Sequence, residues 1–249
     1  MSTLDFILLI STGLVAGFIN TVAGGGSLLS LPVLIFMGLP PAVANASNRV
    51  AIFSQNIFGV LGFKSKGVSA YPYSLYLGIS AFFGAIIGAK ISVNLDDDLF
   101  NKIIAIIMVL VVIVTVFSKK TVVGASLEKT DIKSTVIGII VFFFVGIYGG
   151  FIQAGVGFLI MAALSSINKF TLVKTNSAKV LIVFIYTLSS LGVFIMEGVI
   201  DWYYGLTLAI GNSAGAWIGS RWSVRTGDRW IKRFLVVMVI ALSIKLWFF

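Results

Sequence analysis

Apolar stretches of nearly twenty residues follow one another along the chain, with only short polar breaks between them. Each is long enough to cross the ~30 Å hydrocarbon core of a bilayer as a helix. Only 11% of the 249 residues are charged, against about 25% in a soluble domain. Too few polar side chains exist to face water. The chain is therefore expected to be an all-α polytopic membrane protein, one membrane domain over residues 1–249 with no soluble domain left over.

The charges that do exist are placed at segment ends. Lys64, Lys66, Lys119, Lys120, Arg221, Arg225, Arg229, Lys232 and Arg233 flank apolar runs, as cytoplasmic loops and interfacial anchors do. The excess of basic residues thus points to membrane orientation and not to nucleic acid. Trp202, Tyr203, Tyr204, Trp222, Trp230 and Trp247 also sit at segment ends, where aromatic anchors meet membrane lipids. The chain has no Cys and no His, which excludes disulfides, thiol relays and imidazole metal or proton sites. Met1–Asp5 carries no basic residue ahead of its apolar run, and reads as the start of a first membrane segment.

The chain is also a doubled unit. Sliding the sequence by 131 positions aligns Gly67–Asp97 with Gly198–Asp228 without a gap, and thirteen of thirty-one positions are identical. They include Gly84/Gly215, Gly88/Gly219 and Asp97/Asp228. Upstream, Gly17-Phe18-Ile19-Asn20 pairs with Gly150-Phe151-Ile152-Gln153, and Ser47 and Arg49 pair with Ser177 and Lys179. Repeat one is expected over 1–118, a linker over 119–134 and repeat two over 135–249.

Each repeat has one long, glycine-interrupted segment, Phe6–Phe36 or Val136–Leu164, followed by three ordinary ones. Those are Ala42–Phe63, Tyr71–Val93 and Ile103–Phe117, then Val180–Met196, Trp202–Ser220 and Phe234–Phe249. Equivalent loops carry opposite charge: Lys64–Gly67 is basic where its partner holds Glu197 and Asp201. Asp96, Asp97 and Asp98 stand opposite Arg221, Arg225 and Arg229. The positive-inside rule then makes the copies inverted repeats. Each interrupted segment is expected to be a hairpin, bending at Asn20–Ser27 and Gln153–Gly157. A single long, kinked span is the alternative.

Two groups of residues could carry function. Asn20, Gly24, Gly25, Gly26 and Ser27, with Gln153, Gly155 and Gly157 in the second copy, would break the helix inside the membrane. A restarting helix presents free N–H groups and a positive dipole end, which attract an anion. Matched interruptions are the sequence pointer to a transporter's binding site; close helix packing is the plainer reading, and is preferred for Gly84, Gly88, Gly215 and Gly219. The second group is Asn45, Asn48 and Arg49, on one helical face with Asn56, matched by Asn176, Ser177 and Lys179. Arg49 and Lys179 would flank a central anion from opposite sides, or else snorkel to headgroups. The acidic residues all lie at ends or in loops, so no proton carrier, sodium site or other metal site is evident. Export of an anion down the membrane potential, worth ~2.3 kcal/mol per charge per 100 mV, would need none.

Gly17-Phe18-Ile19-Asn20-Thr21-Val22-Ala23-Gly24-Gly25-Gly26-Ser27-Leu28-Leu29, then Pro32 and Ala42–Arg49, resemble the first half of the sulfite exporter TauE/SafE family. Gly149–Gly157 and Asn176–Lys179 are similar to its degenerate second half, with Val156 between the glycines and no proline soon after. The resemblance implies a multi-pass permease of the cytoplasmic membrane exporting sulfite, sulfoacetate or a related sulfonate. Without Cys, His or an intramembrane carboxylate pair, no enzymatic activity and no cofactor are expected. A passive anion channel, or a permease for another small anion, would use the same residues. Oligomeric state stays open between monomer and homodimer.

Overall fold

A computed structural model describes residues 3–96, 98–100, 102–103, 106 and 128–248, side chains at 232 and 235–248 excepted. Among these residues all regular structure is helical: α1 (Thr3–Val22), α2 (Ser27–Phe36), α3 (Pro41–Lys64), α4 (Tyr73–Val93), α5 (Ile132–Phe151), α6 (Val156–Ile167), α7 (Leu172–Met196) and α8 (Trp202–Phe248). Helices α1, α4, α5 and α7 are long and apolar enough to cross a membrane. The expected segment Ile103–Phe117 and the linker up to residue 127 lie almost wholly outside the described residues, as does Asp97.

The two interrupted segments are each two helices. α1 ends at Val22 and α2 restarts at Ser27. α2 folds back beside α1: a Cβ on Gly26 would lie 2.1 Å from the carbonyl oxygen of Ala16. Ten residues of continuous helix would separate those positions by ~15 Å, so the first segment is a hairpin. α5 and α6 break at Ile152–Gly155, where Gly155 has φ 71°. The tips of both breaks meet. Gly24 has φ 87°, and a Cβ there would sit 2.5 Å from the carbonyl carbon of Gly157.

Contact registers give the helix directions. α3 runs with α8 (Ser47 near Gly205, Gly62 near Ser220), and α1 also runs with α8 (Gly13 near Leu208, Phe18 near Gly219). α4 runs with α5 (Leu77 near Gly138, Gly88 near Phe151) and with α7 (Gly78 near Ile185, Phe82 bonded to Ser189). α3 and α7 cross in opposite directions, since Gly59 meets Val180 while Phe53 stacks on Phe184. Helices α1, α3 and α8 as far as its break at Gly227 therefore point one way, and α4, α5 and α7 the other. Gly84 and Gly215 line the α4–α5 and α1–α8 seams, where an added Cβ would come within 2.1 Å of the Phe143 and Leu14 carbonyl oxygens. They serve close packing.

The helix bounds differ from the sequence expectation most at two places, and α5 starts at Ile132, four residues before Val136. α7 begins at Leu172, eight residues before Val180, because its polar first turns are covered and capped. Thr171 Oγ1 accepts from Lys174 N, and the Asp228 carboxylate accepts from Leu172 N and Val173 N. α8 runs past Ser220 to a break at Gly227 (φ 70°), which delivers Asp228 to that cap. At the start of α5, bonds from Ser134 hold the Asp131 carboxyl below its usual pKa.

The tip contact makes a test. Gly24→Ala should cost αL strain plus about 1–3 kcal/mol of overpacking. Gly38→Ala, with φ 94° and nothing within 4 Å of its added Cβ, should cost only the strain, about 1–2 kcal/mol. Thermal denaturation in detergent compares them, and equal shifts would mean that the tips do not touch.

Candidate functional site

A helix that stops inside a membrane leaves its last carbonyls without partners. Hydrocarbon cannot satisfy them, so protein must. Here each broken helix is completed by the other half of the chain. At the end of α5, Arg49 from α3 donates to the Gly149 carbonyl, to Gly150 O at 3.0 Å, and to the Gln153 side chain. Asn45 Nδ2, one turn earlier on α3, donates to Phe151 O at 2.8 Å and to Ser92 Oγ. At the end of α1, Lys179 Nζ from α7 donates to Thr21 O at 3.0 Å, and Asn176 Nδ2 donates to Val22 O at 2.9 Å. The two sites share a plan. An amide three or four residues ahead of a cation bonds the cation with its oxygen and a helix end with its nitrogen.

Positive charge at a helix C-terminus also complements the macrodipole. Both cations are withdrawn from solvent, Arg49 at 0% and Lys179 at 2% exposure. They are the charged side chains among the buried described residues; no carboxylate is buried there. The one ion pair between described side chains, Lys174 with Glu128, lies elsewhere and is partly exposed. Snorkelling to headgroups does not describe either cation.

The remaining candidates fall around the same place. Gly25, Gly26 and Ser27 form the buried start of α2, and Asn20 packs over it, with its Cβ 2.6 Å from where a Gly26 Cβ would lie. Asn48 Oδ1 accepts from Ser30 Oγ at 2.9 Å, which sets Asn48 beside the first turn of α2. Its Nδ2 and the Nε of Arg49 are buried donors with no hydrogen-bond partner. Gln153 is braced by Tyr186, whose hydroxyl donates to Oε1 at 3.0 Å. Gly155 and Gly157 open α6 and bring it against Gly24. Ser177 is the outlier, its hydroxyl bonded to Val68 O at 3.3 Å, away from the tips.

Sequence reasoning missed Ser30, Tyr186 and Asp228, which position Asn48, Gln153 and the start of α7. Asp228 was visible as the partner of Asp97 in the repeat; Ser30 and Tyr186 carried no signal above their surroundings. No group of three or more His, Cys, Asp or Glu among the described residues would hold a metal ion. Cavities of about 450 and 870 Å³ lie away from the tips, on α4 and between α3 and α8.

Replacing either cation orphans carbonyls. Arg49→Met removes the donor to two carbonyls and Gln153, whereas Lys179→Met removes the donor to one carbonyl and Asn176. At about 1–3 kcal/mol per orphaned acceptor, Arg49→Met should lower the melting temperature more. Equal or negligible losses in thermal denaturation would contradict the capping role.

The family model described as "Sulfite exporter TauE/SafE" matches residues 9–246. The chain is 26% identical to a probable membrane transporter protein of Haemophilus influenzae, over 96% of this chain and 93% of that one. It is 27% identical to the probable membrane transporter protein ORF9 of a Sinorhizobium species, over 93% and 88%. Against the probable membrane transporter protein YfcA of Escherichia coli K12 the identity is 27%, over 94% and 86%. No solved structure matches. With nearly its full length matched, the chain is a membrane transporter of the sulfite exporter TauE/SafE family.

Proposed function

We propose that the chain is a secondary transporter exporting a small sulfur-containing anion, sulfite or an organosulfonate such as sulfoacetate, across the cytoplasmic membrane. One observation carries the anion. Two buried cations, Arg49 and Lys179, approach the meeting hairpin tips from opposite halves, with no buried carboxylate among the described residues to neutralise them. Taking a charge out of water costs several kcal/mol even after relaxation. Carbonyl bonds offset part of that cost, and a bound anion would offset more.

The partners for an anion are at hand. The first turns of α2 and α6 direct N–H groups and positive dipole ends at the tips. Asn48 Nδ2 and Arg49 Nε add unpaired donors. The choice of a sulfur oxyanion rests on the family description and not on the geometry.

The opposite directions of α1 and α5, of α3 and α7, and of α8 and α4 support reading the halves as inverted repeats. With that arrangement, Lys64, Lys66, Lys129, Lys169, Lys174, Arg221 and Arg225 fall at one end of the bundle. Asp5, Asp96, Asp98, Glu197 and Asp201 fall at the other with Lys90, while Glu128, Asp131 and Asp228 are acidic residues within the basic end. The positive-inside rule makes the basic end cytoplasmic. Rocking of one half against the other would expose the tips alternately to the two sides, and export would run down the membrane potential.

Uptake of labelled sulfite and sulfoacetate into reconstituted vesicles, with the potential clamped, is the test. Saturable, potential-dependent flux with trans-stimulation is expected. Asn48→Asp keeps the acceptor for Ser30 but replaces the free donor with a carboxylate oxygen. It should lower flux about tenfold or more while the protein stays folded by thermal denaturation. Undiminished flux would remove the anion site from this place. Single-channel currents, or strict dependence on a pH gradient, would overturn potential-driven transport.

A further inference from the structure

The cavity between α3 and α8 belongs to no part of the site described above. Its volume is about 870 Å³, within the range of small-molecule pockets. Phe58 and Leu61 form one wall and Leu206, Ile210 and Trp217 the other. Phe58, Leu61, Leu206 and Ile210 are exposed, so the groove opens sideways, toward what would be lipid. Its hydroxyls, Ser54 and Ser213, bond each other at 2.8 Å. The interior therefore offers an apolar chain a surface with its polar groups already paired.

The end of this groove has a different character. α3 and α8 run in the same direction, and Gly62 lies against Ser220. The last turn of α3 thus brings the exposed Lys64, with Lys66 just beyond, level with Arg221 and Arg225 of α8. The Arg221 guanidinium lies 4.0 Å over the ring of Trp217, a wall of the groove. It has no acidic partner among the described residues, and its Nε is a buried donor without a hydrogen-bond partner. A cation oriented by an aromatic ring and left uncompensated at the mouth of an apolar slot fits an amphiphile with an anionic head.

We infer that the α3–α8 groove binds an anionic phospholipid, one acyl chain lying along Phe58, Leu61, Leu206 and Ile210 and the headgroup phosphate on Arg221, with Lys64 alongside. The orientation agrees, because this is the basic end of the bundle, and the cytoplasmic leaflet carries the anionic lipid. The occupant is set by charge complementarity: a second copy of this chain would bring its own Arg221 and Lys64 cluster to the mouth if the same face were shared, or leave Arg221 without an anion.

Native mass spectrometry of the purified protein in detergent, titrated with phosphatidylglycerol or phosphatidylcholine, tests this. Phosphatidylglycerol should be retained more strongly than phosphatidylcholine. Arg221→Gln should weaken phosphatidylglycerol about fivefold and leave phosphatidylcholine unchanged. Ala214→Trp, which fills the groove from its exposed rim, should weaken both. Lys174→Gln, a cation remote from the groove, serves as the control. Equal retention of the two lipids, an Arg221→Gln variant that binds phosphatidylglycerol like the parent, or a lipid-free dimer cross-linked through Ile210→Cys would overturn the proposal. None of these readouts depends on transport, so the anion site and the lipid site fail separately.

Discussion

An unpaired carbonyl in hydrocarbon is the constraint on which this structure turns. Stopping a helix at Val22 or Phe151 strands its last C=O groups where no water can reach them, and several kcal/mol per group would be lost. The chain meets that cost from its opposite halves: α7 completes α1, and α3 completes α5. Neither half could keep its hairpin alone. A single glycine-broken hairpin excised from its partner would lack the cation and amide that end its first helix. This reciprocal dependence explains why Asn45, Arg49, Asn176 and Lys179 are buried although they occur in the early turns of their helices.

The parts of this arrangement that could be read in the sequence are those that stand out against an apolar background. Three glycines in a row, a buried arginine in a run of amides, and opposite loop charges are all rare in a membrane segment, so Gly24–Gly26 and Asn45–Arg49 marked themselves. What Arg49 and Lys179 touch did not. Their partners are backbone carbonyls, which every residue has, and no residue type signals that a helix will end there. The start of α7 was hidden for a related reason. Leu172–Lys179 looks like a loop by polarity, and it is helical because Asp228, fifty-six positions away, accepts its first N–H groups. The third segment of repeat one lies outside the described residues, so the sequence reading of it stands as an expectation.

The two clasps also differ in a way that geometry makes legible. Arg49 presents a planar fork, and one head reaches two carbonyls and an amide. Lys179 presents a point charge to one carbonyl and one amide, with the Met161 sulfur 3.9 Å away. Gln153 is braced by Tyr186, while Asn20, its counterpart, has Asn56 rather than an aromatic residue at the position matching Tyr186 in the repeat. The α5–α6 tip is therefore the more strongly held of the two. In a rocking mechanism the weaker clasp, at the end of α1, is the one expected to yield first.

The electrostatics follow from which helix ends are covered. Where the two breaks meet, four dipole ends come together: two negative ones, from α1 and α5, and two positive ones, from α2 and α6. Side-chain cations cover both negative ends, and no side-chain anion among the described residues covers either positive end. The four dipole ends offset one another, so the net positive charge at the tips is that of Arg49 and Lys179, with the N–H ends of α2 and α6 left open. At the proposed site an anion would meet open N–H groups and the single free Nε of Arg49, not the whole guanidinium fork, so it could be held and still released. A transporter has to do both. Direct bidentate contact with Arg49 would bind more tightly but would require stripping the α5 carbonyls of their donors, which couples strong binding to the loss of a helix end.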